Sequence, residues 1–171
     1  EIDRITRYFE PPAFETLPAE SAAFNKAQAD DAGFAQWCRT NVVAHKQSGY
    51  SIVNISLKPI GGVPGDATDV QMEAIAELAE AYSFDELRVT HEQNLVFPHI
   101  RLDDLQAVYD RLVAHELATP NLGLISDTIA CPGLDYCNLA NARSIPLAQE
   151  ISNRFADLDR QYDIGELKIK I

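Results

Sequence analysis

Residues 86–100 read Glu86-Leu87-Arg88-Val89-Thr90-His91-Glu92-Gln93-Asn94-Leu95-Val96-Phe97-Pro98-His99-Ile100. From Glu86 to Thr90, Leu87 and Val89 fall on one side and Arg88 and Thr90 on the other, the period-two pattern of a strand. His91 to Asn94 is a polar turn. Leu95 to Ile100 then resumes an extended apolar pattern. Two strands joined by a short polar turn are the part of the chain around which the remaining elements have to be arranged.

Working outward, a helix is expected upstream from Thr68, because Thr68 and Gln71 stand at capping-box spacing. Met72, Ile75, Ala79 and Tyr82 follow at steps of three and four and mark its core face. Further upstream, Val53, Ile55 and Leu57 alternate with Asn54, Ser56 and Lys58, which reads as a half-buried strand over residues 51–58. Between them Pro59 to Asp66 breaks regular structure. This Gly-rich loop lacks phosphate-loop and dinucleotide spacing and reads as a connection. Downstream, Asp103 or Asp104 opens a helix that buries Leu105, Val108, Tyr109 and Leu112. From Ser51 to Leu117 the order is therefore strand, helix, strand, strand, helix. That is an α+β arrangement and most of a ferredoxin-like split βαβ unit, with helices covering one face of a sheet.

The flanks are less regular. Residues 1–50 read as an N-terminal arm and helical linker. Pro11, Pro12 and Pro18 lie among Phe9, Phe14 and Leu17 in an extended arm that packs aromatics onto the rest. Two helical stretches follow, Ser21 to Ala29 and Asp31 to Cys38, with Phe24, Phe34 and Trp37 as anchors. Residues 51–118 form the strand–helix unit, and Thr119 to Gly123 looks like a boundary. In residues 119–171, Leu124 to Ala130 is expected as a strand. Ser144 would cap a helix bearing Leu147, Ile151, Phe155 and Leu158, with Pro146 in its first turn. Leu167 to Ile171 alternates as a strand, and a chain that stops there suggests a piece of something larger.

Composition excludes several classes. In 171 residues, 14 basic against 26 acidic side chains leave a net charge of −12, with no basic stripe for a nucleic-acid backbone. No apolar run reaches the roughly 20 residues of a membrane span, and no signal-peptide pattern opens the chain. Three cysteines do not make a secreted disulfide framework, which points to a reducing, cytoplasmic setting.

Chemistry concentrates in Cys131-Pro132-Gly133-Leu134-Asp135-Tyr136-Cys137, two thiols on a tight loop followed by the polar segment Asn138 to Ser144. Thiolates on such a loop suit a soft metal or an iron–sulfur cluster. A pair supplies half of the usual ligand set, so two inert thiols, a disulfide and a two-Cys zinc site shared across a dimer remain alternatives. Cys38, beside Trp37, reads as a buried structural thiol. His45, His91, His99 and His115 have no metal-ligand spacing; His91 and His99 read as surface or satisfied turn histidines, and His115 lies at a helix end where a protonated ring suits the dipole. Arg88 and Thr90 share a strand face, with Gln93 and Asn94 in the following turn. That set can hold an anionic ligand through charge-assisted hydrogen bonds, or simply face solvent.

Three segments together resemble one family. The loop Cys131 to Ser144 (CPGLDYCNLANARS) is similar to the first cysteine pair of the sulfite and nitrite reductases that contain sirohaem and a [4Fe-4S] cluster. Arg88 to Asn94 resembles the Arg-x-Thr-x-x-Gln-Asn stretch of the ferredoxin-like half domain preceding that pair. His45 to Asp66, through NISLKPIGGVPGD, resembles the entry to this half domain in the haemoprotein beta component of sulfite reductases.

The resemblance implies that Cys131 and Cys137 are two of four cluster ligands, with the other pair on a Cys-x-x-x-Cys loop after a strand like that at Leu167 to Ile171. It implies that Arg88, Thr90, Gln93, Asn94 and Asn138 lie on the cofactor side. It also implies a chain made of a ferredoxin-like half domain followed by the start of a sirohaem/[4Fe-4S]-binding α+β domain, belonging to a longer polypeptide. Sirohaem and the cluster would be bound by the full-length enzyme and not by this piece, which would hold no catalytic residue and be inactive alone. The expected activity of the whole is assimilatory reduction of sulfite to sulfide, with nitrite reduction to ammonia as the alternative. Its electrons would come from a flavoprotein or a ferredoxin. A non-enzymatic α+β protein-binding module is the rival of another class.

Overall fold

The structure is a computed structural model describing residues 1–171 apart from the side chain of Arg7. The chain begins with the short helix α1 (Ile2–Thr6) and an extended arm, then enters α2 (Ala22–Asp30) and α3 (Ala32–Asn41). Ser21 caps α2 by accepting the Phe24 N–H, and Asp31 caps α3 by accepting the Phe34 N–H. This places the break between the two helices at Asp31. β1 (Val42–Ala44) follows, then β2 (Tyr50–Ile55), α4 (Asp69–Tyr82), β3 (Arg88–Val89), β4 (Leu95–Arg101) and α5 (Leu105–Ala114). The last part carries α6 (Ile145–Arg154) and α7 (Leu158–Ile164).

The four strands form one antiparallel sheet in the order β1-β2-β4-β3. The expected strand–helix–strand–strand–helix order is present. β1, which has no counterpart among the expected strands, extends the sheet on the β2 side. The capping box at Thr68 and Gln71 is formed, with each side chain bonded to the other residue's backbone N–H.

One face of the sheet carries the core: Phe34 and Trp37 of α3, Val53 and Ile55 of β2, Ile75 and Leu78 of α4, Phe97 and Ile100 of β4, and Leu105, Val108 and Leu112 of α5. The buried stripe of α4 is Ala74, Ile75, Leu78 and Ala79, while Met72 is half exposed at 51%. Ile75 and Ala79 of the expected face are in the core and Tyr82 packs against it, but Leu78 takes the place expected of Met72.

β4 is not a regular strand. Val53 pairs with Phe97 but Ser51 pairs with Ile100, so β4 carries one extra residue at Pro98–His99. A central strand cannot use a proline as a ladder donor, and a bulge absorbs it. The bulge keeps both Phe97 and Ile100 in the core and sends His99 to the opposite face. Over that opposite face lies the N-terminal arm. The Phe14 ring centroid is 5.1–5.7 Å from those of His99, Tyr50, His45 and Phe84, all in edge-on geometry. Phe9, by contrast, is 79% exposed.

Several extended segments depart from expectation. β2 ends at Ile55, and Ser56 and Lys58 beyond it are buried, so this run is not half-solvated. β3 shrinks to two exposed edge residues. Residues 124–128 and Ala130 are buried, yet the segment forms no strand. Their backbone turns through Leu124 N–H to Asn121 and Asp127 N–H to Leu124, and Thr128 bonds back to the Ile125 carbonyl. Short polar side chains that satisfy nearby backbone groups disfavour a ladder there. Pairing resumes only at Ile129, which bridges in parallel to Lys170. The helix after Ser144 stops at Arg154, and Leu158 belongs to a separate helix capped by Asp157. On α6 the buried residues are Ala148 and Ser152, and Leu147 is 51% exposed.

Candidate functional site

The two cysteines of the loop are free thiols, Cys131 exposed and Cys137 half-buried. Their loop turns at Gly133, whose φ of +58° is open to glycine at little cost. A Cβ at Gly133 would lie 2.6 Å from the Ala142 carbonyl oxygen. Backbone bonds close the loop: Cys137 N–H to Gly133 O at 2.8 Å, Leu134 N–H to Ala142 O at 3.0 Å, and Ala140 N–H to Cys137 O at 3.2 Å. Leu134, Tyr136 and Leu139 project from it, 49%, 77% and 95% exposed. Asn138 is exposed beside them.

Upstream, the loop is anchored to the sheet by residues of the β3–β4 turn. The Gln93 amide donates to Ala130 O at 2.8 Å and accepts from Ala130 N–H at 3.0 Å. Asn94, 1% exposed, accepts the Leu57 N–H and donates to Asp127 Oδ1 at 3.0 Å. Lys58 Nζ reaches Asp127 Oδ1 at 2.7 Å and Asn94 Oδ1 at 3.1 Å, and also bonds the Glu92 carbonyl. Asp127 Oδ2 accepts the Gly123 N–H at 2.9 Å. Burial pulls the Lys58 pKa down, and the Asp127 carboxylate opposes that shift. On the rim, Lys168 pairs with Glu92, which lowers the glutamate's pKa and raises the lysine's.

The residues picked out from the sequence therefore divide. Gln93 and Asn94 lie between the sheet and the approach to Cys131, with their amides spent on protein groups. Thr90 Oγ1 accepts the N–H groups of Glu92 and Asn94 and shapes the turn. The Arg88 side chain, 59% exposed, pairs with Glu86 at 2.5 Å. Cys38 is buried in α3 among the core, where desolvation pushes its thiol up to about 12. Lys58 and Asp127 are what the sequence analysis missed. Lys58 sat on the presumed wet side of a strand, and Asp127 is 69 residues away with no spacing to announce the pair.

Against known proteins, residues 45–115 match the family model for the nitrite/sulfite reductase ferredoxin-like half domain. The chain is 30% identical over 139 residues to the chloroplastic ferredoxin–nitrite reductase of Betula pendula, covering 77% of this chain and 23% of that protein. It is 32% identical over 114 residues to sulfite reductase [ferredoxin] 2 of Mycolicibacterium paratuberculosis, covering 63% and 20%. The structure of the Mycobacterium tuberculosis NirA protein matches with a TM-score of 0.58 and 24% identity, over 77% of this chain and 24% of that one. The chain thus spans about a fifth to a quarter of the length of these relatives.

The cysteine loop lies downstream of the matched segment, and its anchor comes from that segment's own β3–β4 turn. As a donor set it holds two thiols. Among the described residues no group of three or more His, Cys, Asp or Glu side chains is placed to hold a metal ion. The residues of this chain therefore supply half of a four-thiolate set and do not by themselves fit a complete cluster.

On the far face of the half domain a second polar cluster lies under the arm. Gln47 N–H donates to His45 Nδ1 at 2.8 Å, which leaves the His45 proton on Nε2, 3.1 Å from His99 Nδ1. His99 Nε2 in turn lies 3.2 Å from Glu86 Oε2, and Arg88 closes the chain on Oε1. His99 is 7% exposed and both ring nitrogens have protein partners, so of the two expectations for it the satisfied histidine holds and the surface one does not, and it stands in a strand and not in a turn. The bulge at Pro98 is what turns it onto this face, beneath the arm.

Proposed function

We propose that the chain is the second ferredoxin-like half domain (residues 51–118) and the opening of the cofactor-binding domain (residues 119–171) of a cytoplasmic sulfite reductase, preceded by an arm and linker at residues 1–50. Cys131 and Cys137 supply two of the four thiolates of a [4Fe-4S] cluster coupled to sirohaem, and a second pair comes from the remainder of the polypeptide. When bound, that centre carries the electrons to the substrate anion. What this chain contributes is placement: the half domain grips the residues before Cys131 and sets the loop against the sheet. Arg88, Thr90 and Asn138 sit on the cofactor side of the assembled enzyme, and Gln93 and Asn94 support it.

The observation that supports this most is the direct bonding of the half domain's Gln93 to Ala130, next to the first cysteine. Reduction of nitrite is the second reading, supported by the nitrite reductases among the relatives. Ferredoxin, which the relatives' names carry, is the preferred donor over a flavoprotein. The test is the full-length protein, assayed with reduced ferredoxin on sulfite and on nitrite, alongside iron content and visible absorption. Sirohaem and cluster bands that lose the cluster component in Cys131→Ser are the expected outcome. A full-length protein without iron rules the proposal out, and the ratio of the two rates assigns the substrate.

A further inference from the structure

We infer that Gln93 is a positioning residue, a side-chain clamp that fixes the backbone at Ala130 and thereby sets where the chain enters the cysteine loop. Its purpose rests on Cys131 being a ligand, as proposed above, but the clamp itself is read from geometry.

Residues 129–131 run extended with a neighbour on one side only. Ile129 N–H bonds Ile169 O at 2.9 Å, Ile171 N–H bonds Ile129 O at 2.9 Å, and Cys131 N–H bonds Ile171 O at 2.8 Å. In an extended chain the backbone groups of the intervening residue point the opposite way. Those of Ala130 find no strand there; they find the Gln93 amide, whose Nε2 and Oε1 take the carbonyl and the N–H of this one residue. Ala130 is 3% exposed, so water cannot replace these bonds. One amide side chain does the work of the missing neighbour strand.

The backbone at Gln93 points the same way. Its φ is +59°, a region where glycine or asparagine sits at lower cost than a long side chain. A glutamine there brings the turn nothing, and strain of this kind persists where the surroundings require the residue. The surroundings also aim it. Gly65, at φ +79°, leaves room on one side, since a Cβ there would lie 3.0 Å from Gln93 Cβ. Asn94 on the other side is locked by Leu57, Lys58 and Asp127.

The test compares Gln93→Gly, Gln93→Asn and Gln93→Ala by amide hydrogen exchange on the 171-residue chain. Gly and Asn both suit the turn better than Gln, but Gly has no amide and Asn is one methylene short. The expected result is exchange at Ala130 at least tenfold faster in all three, with smaller increases at Cys131 and Ile171 and no change in β2 or β4. Alkylation of Cys131 by iodoacetamide should change rate, while that of buried Cys38 should not. Retained protection of Ala130 in the Gly or Asn variant would overturn the inference, as would an equal loss of protection throughout the sheet. Iron content is not read in this experiment, so failure of the cluster proposal and failure of the clamp are separate results.

Discussion

Lys58 Nζ lies 2.7 Å from Asp127 Oδ1, with the two side chains only 1% and 5% exposed. Withdrawing both charges from water is costly, and the pair holds because nearly every remaining lone pair and proton has a partner. Lys58 also bonds Asn94 and Glu92, and Asp127 takes Asn94 and the Gly123 N–H. Removing one member strands the other. Lys58→Met or Asp127→Asn should each cost about 3–5 kcal/mol in urea unfolding. The double variant Lys58→Met/Asp127→Leu should cost clearly less than the sum of the singles, since it leaves no unpaired charge. Strict additivity would show that the two residues act independently.

The histidine pair sets a pH dependence. His99 faces Glu86 and Arg88 on the sheet side and His45 beside it, with Phe14, Tyr50 and Phe84 around its ring. Burial, its largest influence, lowers its pKa below the ordinary histidine value, with Glu86 partly opposing. In the unfolded chain this histidine titrates at about 6.5 and therefore binds the proton more readily than in the folded one. Stability from this group is fully present above that value and is lost as pH falls below it, down to the depressed folded pKa. Between pH 7.5 and 5.5 the melting temperature should drop in the wild type and drop less in His99→Phe. Because Phe14 rests on His99, proteolysis within the arm should rise over the same interval. A His99→Phe profile identical to wild type would remove His99 as the cause.

Two glycines separate backbone strain from steric conflict. Gly133 and Gly165 both have positive φ, at +58° and +79°. A Cβ at Gly133 meets the Ala142 carbonyl, whereas one at Gly165 meets nothing within 4 Å. Gly165→Ala should cost about 1 kcal/mol, from conformation alone, and Gly133→Ala roughly 2–3 kcal/mol because the loop must also move. Denaturant melts of the two variants give the comparison, and equal costs would mean that the loop yields freely.

Much of this was legible in the sequence because it is local. The capping box at Thr68, the periodic face of Leu105, Val108 and Leu112, and the alternation in β2 each announce an element within a dozen residues. Met72 lies at the first turn of α4 and is half exposed, while Leu78 is the large side chain that completes the core stripe with Ile75 and Ala79. Pro98 carried a legible warning, since a proline in a central strand implies a bulge, and the bulge decides where His99 points. Nothing local announces Lys58 and Asp127, whose partnership is a product of tertiary structure. The same holds for Gln93, which as a sequence feature belonged with a ligand-binding polar set and in the structure grips Ala130.

The three thiols should differ sharply in reactivity, and the order follows from burial. Cys131 is exposed and Cys137 half-buried, while Cys38 lies in the core with its pKa pushed up to about 12. Only the thiolate attacks an alkylating reagent. At pH 8, Cys38 is therefore both inaccessible and almost wholly protonated. Iodoacetamide on the folded chain, followed by peptide mass spectrometry, should label Cys131 first, Cys137 more slowly, and Cys38 only in denaturant. In the full-length protein carrying its cluster, the labels on Cys131 and Cys137 should vanish together, because a ligated thiolate is not free to react, and return when the iron is removed. Persistent labelling of both in an iron-loaded protein would show that the metal is held elsewhere. Labelling of Cys38 in the folded chain would contradict its place in the core.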